Sequence, residues 1–122
     1  MKKVIIAVGS HHSGKSVTIN NCLKQLLKIK KTAYLFTRNG RNGKIMSQSF
    51  EEASYRKPEN VISYLKYDIL VLATRPENEK ISYLKEIKKY CVDAGYKVSE
   101  VHIKRTGDPN TYAKEMLHYI DN

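Results

Sequence analysis

Residues 9–16 read GSHHSGKS, directly after the apolar run VIIAV and directly before VTINNCLKQLLKIKK. The segment KVIIAV (3–8) is short, unbroken and rich in β-branched residues, the pattern of a strand buried on both faces of a parallel sheet. From Lys15 to about Ile29 the apolar residues Ile19, Cys22, Leu23, Leu26 and Leu27 recur at helical spacing. Lys24, Lys28, Lys30 and Lys31 fill the opposite, solvated face of that helix. The order is strand, glycine-bearing loop, helix, and it sets the expectation for everything downstream.

Further along, TAYLFT (32–37) is a second strand, and RNGRNGK (38–44) carries two Asn-Gly pairs that predict a flexible turn. A short helix falls near 46–54, and PENVISYLK (58–66) opens a helix with proline at its first position. DILVLAT (68–74) is the other strong buried-strand signal. Ile81, Leu84, Ile87, Cys91 and Ala94 mark a long helix that Gly95 stops. YKVSEVHIK (96–104) alternates as a strand nearer an edge, and residues 108–120 form a last helix with Asp108 as N-cap and Tyr112, Met116 and Ile120 on one face. Alternating strands and helices predict a three-layer α/β/α sandwich around four or five mainly parallel strands, as one domain over 1–122. Ligands of such sheets bind where strands end at their carboxyl side. The segments from Gly9, Thr37, Thr74 and Lys104 onward are therefore expected to converge.

Composition narrows the classes of function. The chain has 122 residues, 41% of them hydrophobic, and no apolar stretch near the roughly 20 residues that span a bilayer. The N-terminal apolar run is five residues long and ends in the glycine loop, unlike a signal peptide, so a cytoplasmic protein with no membrane partner is expected. Lys and Arg exceed Asp and Glu by ten charges, which favours polyanionic partners: nucleotides, acidic protein surfaces or nucleic acid, the last permitted but not required. Cys22 and Cys91 lack metal-ligand spacing and read as core thiols. The tyrosines Tyr64, Tyr67, Tyr83 and Tyr90 fall at half-buried helical positions rather than on one exposed stacking face.

Gly9, Gly14, Lys15 and Ser16 satisfy G-x-x-x-x-G-K-[ST]. Glycines let the backbone wrap a phosphate with its N–H groups, the lysine neutralises β- and γ-phosphates, and the serine hydroxyl ligates Mg²⁺. Ser10, His11, His12, Ser13 and Val17 supply backbone N–H groups, and the two histidines have no other ligands to suggest a metal or acid–base role.

With this loop between a strand and a helix, the chain resembles the P-loop nucleoside triphosphatases and kinases. The resemblance implies a small fold of that superfamily binding ATP and Mg²⁺. A narrower likeness lies in YLFTRNGRNGKI (34–45), similar to the second-strand segment of thymidylate kinases. Thr37 and Arg38 match that family's Thr-Arg pair, and Asn39-Gly40 replaces its Glu-Pro. In VLATRP (71–76), Arg75 matches an arginine after the third strand while Thr74 replaces an aspartate. By the same resemblance Arg105, in KRTGDPN (104–110), stacks on the adenine ring, and no Asn-Lys-x-Asp pattern marks a guanine site.

Two features pull apart. Arg38, Arg41, Lys44 and Arg75 fall at or after predicted strand ends, where they would clamp phosphates in transfer, with Arg38 and Arg75 joining Lys15 as catalytic candidates. Yet Thr37 and Thr74 stand where such enzymes keep an aspartate, and Asp68 lies at the wrong end of its strand. Glu51 or Glu52 could supply the carboxylate only if 38–57 folds back over the loop. The reading leans to a small phosphotransferase acting on a phosphate-bearing small molecule. The second class is a nucleotide-dependent regulator or slow ATPase with a protein or nucleic-acid partner.

Overall fold

The computed structural model describes residues 2–52 and 57–122. The run Lys3–Val8 forms β1, with all six residues buried. It is buried because it pairs on both sides: parallel to β4 (Ile69–Thr74) from Lys3↔Ile69 to Val8↔Thr74, and parallel to β5 (Lys97–His102) from Lys3↔Lys97 to Val8↔His102. Two further strands, β2 (Leu35–Arg38) and β3 (Arg41–Ile45), complete a five-stranded sheet in the order β2-β3-β4-β1-β5.

Strand alternation divides the core in two. Ile5, Ala7, Val71 and Ala73 face a helix at residues 15–26, α1, and a C-terminal helix Pro109–Asp121, α3, through Ile19, Leu23, Ala113, Met116 and Ile120. Val4, Ile6, Leu70 and Leu72 face the opposite side, where Leu84, Ile87 and Cys91 of α2 (Leu84–Asp93) pack with Val61 and Phe50. Helices thus cover both faces of a mostly parallel sheet, the reason its central strands read as unbroken apolar runs. Burial of Cys91 pushes its thiol up to about 12, in keeping with a core role. No helix among the described residues is long and apolar enough to cross a membrane.

The expected turn at 38–44 is instead a hairpin. Only Asn39 and Gly40 turn, both in the left-handed region at φ 53° and 76°, and residues 41–45 return as β3. A two-residue Asn-Gly connection of this kind matches the twist of paired strands. β3 escapes a propensity reading because it holds Asn42 and Gly43, residue types that strands avoid. Gly43 is needed there: it lies opposite Phe36, whose ring covers the space a side chain would take.

The hairpin also reverses β2, which runs antiparallel to β3, whereas β3, β4, β1 and β5 are parallel. The carboxyl end of β2 therefore points away from the other four, so Thr37 and Arg38 do not join the convergence expected of them.

Smaller departures have local causes. Helix α1 passes through π-helical turns at Thr18–Leu23 and ends early, with Lys28 left-handed at φ 59° and the Ile29 N–H returning to the Lys24 carbonyl. Lys24, expected on the solvated face, is buried, and its ammonium donates to the Lys31 carbonyl at 2.7 Å. Helix α2 starts at Leu84, leaving Ile81 exposed. The helix expected near 46–54 is a single 3₁₀ turn at Phe50–Glu52, its last two positions lying outside the described residues, and Pro58–Tyr64 is 3₁₀ rather than α.

Gly40→Val should cost about 1–2 kcal/mol of stability in urea unfolding, since nothing crowds that site and only the left-handed backbone resists a side chain.

Candidate functional site

The parallel strands finish in register, and the residues that follow continue the row. Gly9 N–H donates to the Thr74 carbonyl at 3.1 Å, and Ile103 N–H donates to the Val8 carbonyl at 2.7 Å. A β-carbon on Gly9 would lie 2.8 Å from the Ile103 carbonyl oxygen and against the Ser13 side chain, so only glycine lets the chain leave β1 here. The loop then turns through His12 at φ 63° and Gly14 at φ 102° before α1 begins at Lys15. Within the loop the Ser13 N–H donates to the Ser10 carbonyl at 3.0 Å, and the first-turn amides of the helix that follows have no acceptor within the helix.

Lys15 is 5% exposed, and its ammonium donates to the Gly9 carbonyl at 2.5 Å and the Ser10 carbonyl at 2.8 Å. An ammonium has three donors, so the third is available to an acceptor in the loop. Its pKa lies below the usual lysine value, first because burial disfavours the charge; the nearby carboxylates of Glu52, Glu51 and Glu79 oppose that shift and Arg75 adds to it.

Carboxylates thus lie near the loop although Thr37 and Thr74 supply none. After β3 the Met46 N–H still pairs with the Val71 carbonyl at 2.8 Å, and Phe50, wholly buried, anchors the 3₁₀ turn in the core. Segment 46–52 is thereby drawn over the loop. Glu51 is consumed structurally: its two oxygens accept from the backbone N–H groups of Arg75 at 3.1 Å and Tyr83 at 2.7 Å, tying the exit of β4 to the start of α2. Glu52 faces the loop, where its Oε1 meets His11 Nδ1 at 2.9 Å. Ser10 is tied in the same manner to Glu79, after β4.

A cavity of about 690 Å³ opens here, lined on one side by His11 to Val17, on the other by Ser47, Gln48, Ser49 and Glu52, and at one end by Arg105. A second recess of about 310 Å³, between Ser10–Ser13 and Ile103–Arg105, adjoins it. Asn20 Nδ2 reaches both Ser16 Oγ and Ser47 Oγ, at 3.2 Å each, joining the helix to the β3 exit. Of the buried side-chain atoms without a partner among the described residues, Ser13 Oγ, Ser49 Oγ, Thr74 Oγ1, Arg75 Nε and Asn20 Oδ1 belong to segments of this region. Such groups are costly unless something pairs them.

The structure brings together Ser10, His11, His12, Ser13, Gly14, Lys15, Ser16, Val17 and Arg105, with the Gly9 carbonyl on the Lys15 ammonium and Arg75 following β4 at the same end of the sheet. It does not bring Arg38. That guanidinium grips Asp121 at the far end of α3, Nε to Oδ1 at 2.9 Å and Nη2 to Oδ2 at 3.0 Å, beside the buried Lys3 ammonium on the Tyr119 and Ile120 carbonyls. Arg41 pairs in register with Arg38 at the same end, and the Lys44 ammonium lies over the Tyr64 and Tyr67 rings. All three were expected at the ligand end; the hairpin puts Arg38 and Arg41 at the opposite end, and Lys44 lies within β3, level with Leu70, rather than after a strand. Sequence reasoning missed Ser47, Asn20 and the His11–Glu52 contact; the helical i, i+4 spacing of Ser16 and Asn20 was the one available signal.

Comparison with protein-family models, with curated proteins and with solved structures finds no match for this chain.

Arg38→Ala should lower stability by about 1 kcal/mol or less, the range of a partly exposed pair. It should leave the affinity for any ligand of the Lys15 cavity unchanged, as titration calorimetry would read.

Proposed function

We propose that the chain is a P-loop nucleoside triphosphate-binding protein that transfers the terminal phosphoryl group of ATP. The observation that carries this reading is the buried Lys15 ammonium, held by two loop carbonyls beside a cavity of about 690 Å³ at the carboxyl ends of parallel strands. In this reading the loop amides cradle the phosphates and Lys15 neutralises the β- and γ-oxygens. The adenine lies toward the Arg105 recess, where a guanidinium can stack on its face.

Magnesium would be held by the hydroxyls of Ser16 and Ser47, which Asn20 joins, and the partnerless Asn20 Oδ1 suits an acceptor for a metal-bound water. When bound, such an ion supplies charge neutralisation on the transferring phosphoryl group. Arg75, which follows β4 at the loop end of the sheet and has its Nε without a partner, is suited to the same task.

The phosphotransferase reading loses Arg38 and gains Glu52. A regulator or slow ATPase is favoured by one observation: Thr74, with no carboxylate of its own, stands at the end of β4 beside the loop.

Mg²⁺·ATP at about a hundred times its Kd should raise Tm by ~10 °C, and Lys15→Ala should abolish the rise. An unchanged Tm in the native chain, or an unchanged rise in the variant, would remove the assignment. Hydrolysis stimulated by DNA or RNA, with no small-molecule acceptor labelled, would select the regulator.

Binding should also depend on pH in a stated direction. Because the folded-state pKa of Lys15 lies below 10.5, its ammonium is lost at lower pH than in the unfolded chain, and a phosphate restores it. ATP affinity should therefore fall as pH rises through that lowered value, with proton uptake on binding in calorimetry across buffers of different ionisation enthalpy.

A further inference from the structure

We infer that Glu52, oriented by His11, is the proton acceptor for phosphoryl transfer, and that the acceptor it serves is an uncharged alcohol rather than a phosphate-bearing molecule. The inference rests on the nucleotide reading above and adds the substrate class. Four observations carry it. Glu52 is a cavity-lining carboxylate on the side facing the loop, whereas Glu51 spends both oxygens on backbone N–H groups. Its Oε1 is fixed by His11 Nδ1 at 2.9 Å, so the proton on that nitrogen points at the carboxylate and Nε2 is turned elsewhere. The rest of that wall, Ser47, Gln48 and Ser49, is neutral and hydrogen-bonding, and Ser49 is buried with its Oγ lacking a partner. Of the four basic groups expected to clamp phosphates, Arg38, Arg41 and Lys44 stand elsewhere in the fold, and Arg75, which follows β4 at this end, is the one already given to the transferring phosphoryl group.

The wall opposite the loop thus carries one negative charge and several hydroxyl and amide groups. A phosphate placed against Glu52 would be repelled, while an alcohol finds a base and hydrogen-bond partners. In the step, the alcohol oxygen forms a bond to the γ-phosphorus as the bond from that phosphorus to the β,γ-bridging oxygen breaks. ADP leaves with the bridging oxygen, the phosphate ester forms, and the hydroxyl proton passes to the Glu52 carboxylate. His11 is a positioning residue: its N–H orients the carboxylate, and its 55% exposed side chain keeps the pair open to solvent.

The test uses the full chain with γ-labelled Mg²⁺·ATP and a panel of free nucleosides and hexoses beside their monophosphates. The native chain should label at least one unphosphorylated alcohol and none of the monophosphates. Glu52→Gln should keep the ATP-induced rise in Tm while losing transfer by about 100-fold or more. His11→Ala should lose less, and His11→Gln should recover much of that loss, because the amide N–H can still donate to Glu52. The inference is overturned if only monophosphates are labelled, if no alcohol is labelled although ATP binds, or if Glu52→Gln transfers at the native rate. Equal rates in His11→Ala, His11→Gln and the native chain would remove His11 from the pair. Absence of any ATP-induced rise in Tm is a different failure, that of the nucleotide reading itself.

Discussion

The row of hydrogen bonds at the carboxyl ends of β4, β1 and β5 is the constraint on which the rest depends. Val8 stands level with Thr74 and His102, and the pairing runs one residue further, through Gly9 to Thr74 and Ile103 to Val8. The backbones are so close there that Gly9 has no room for a side chain. The chain must turn at once, and the turn it makes holds the Lys15 ammonium on two carbonyls and starts a helix over one face of the sheet. Loosening that row would move the loop, the lysine and α1 together.

A second, independent anchor brings the opposite wall. Phe50, buried in the core on the α2 side, holds the 3₁₀ turn that carries Glu51 and Glu52, and β3 delivers Ser47 to the same place. The two walls meet through small polar contacts: Asn20 with Ser16 and Ser47, His11 with Glu52, and Ser10 with Glu79. Glu51 works differently, closing the join between β4 and α2. One of two adjacent carboxylates is thus spent on architecture and the other faces the cavity.

The far end of the sheet carries positive charge of another kind. Lys3 donates to the final carbonyls of α3, where the helix dipole is negative, and Arg38 grips Asp121 on the same turn. The Arg38 hydrogen bond holds the Asp121 carboxyl below its usual range. Part of the net charge of +10 therefore serves to fasten the last helix to the sheet, not to attract a partner.

The sequence by itself determined β1, β4 and the loop between β1 and α1. Continuous apolar runs have one comfortable environment, and the spacing of Gly9, Gly14, Lys15 and Ser16 leaves the backbone one way to turn. It marked a turn within 38–44 but not which Asn-Gly pair makes it, nor that Asn42 and Gly43 go on as a strand, because intrinsic preference is weak where a neighbouring strand and the Phe36 ring supply the stabilisation. Tertiary structure alone decided the direction of β2, and with it that Arg38 lies far from Lys15. It alone chose Glu52 over Glu51, since two adjacent residues on one turn differ only in what the fold sets before them. Pattern along a chain records periodicity and local geometry; which end of a strand meets which loop is set by pairing across dozens of residues, and no local signal carries it.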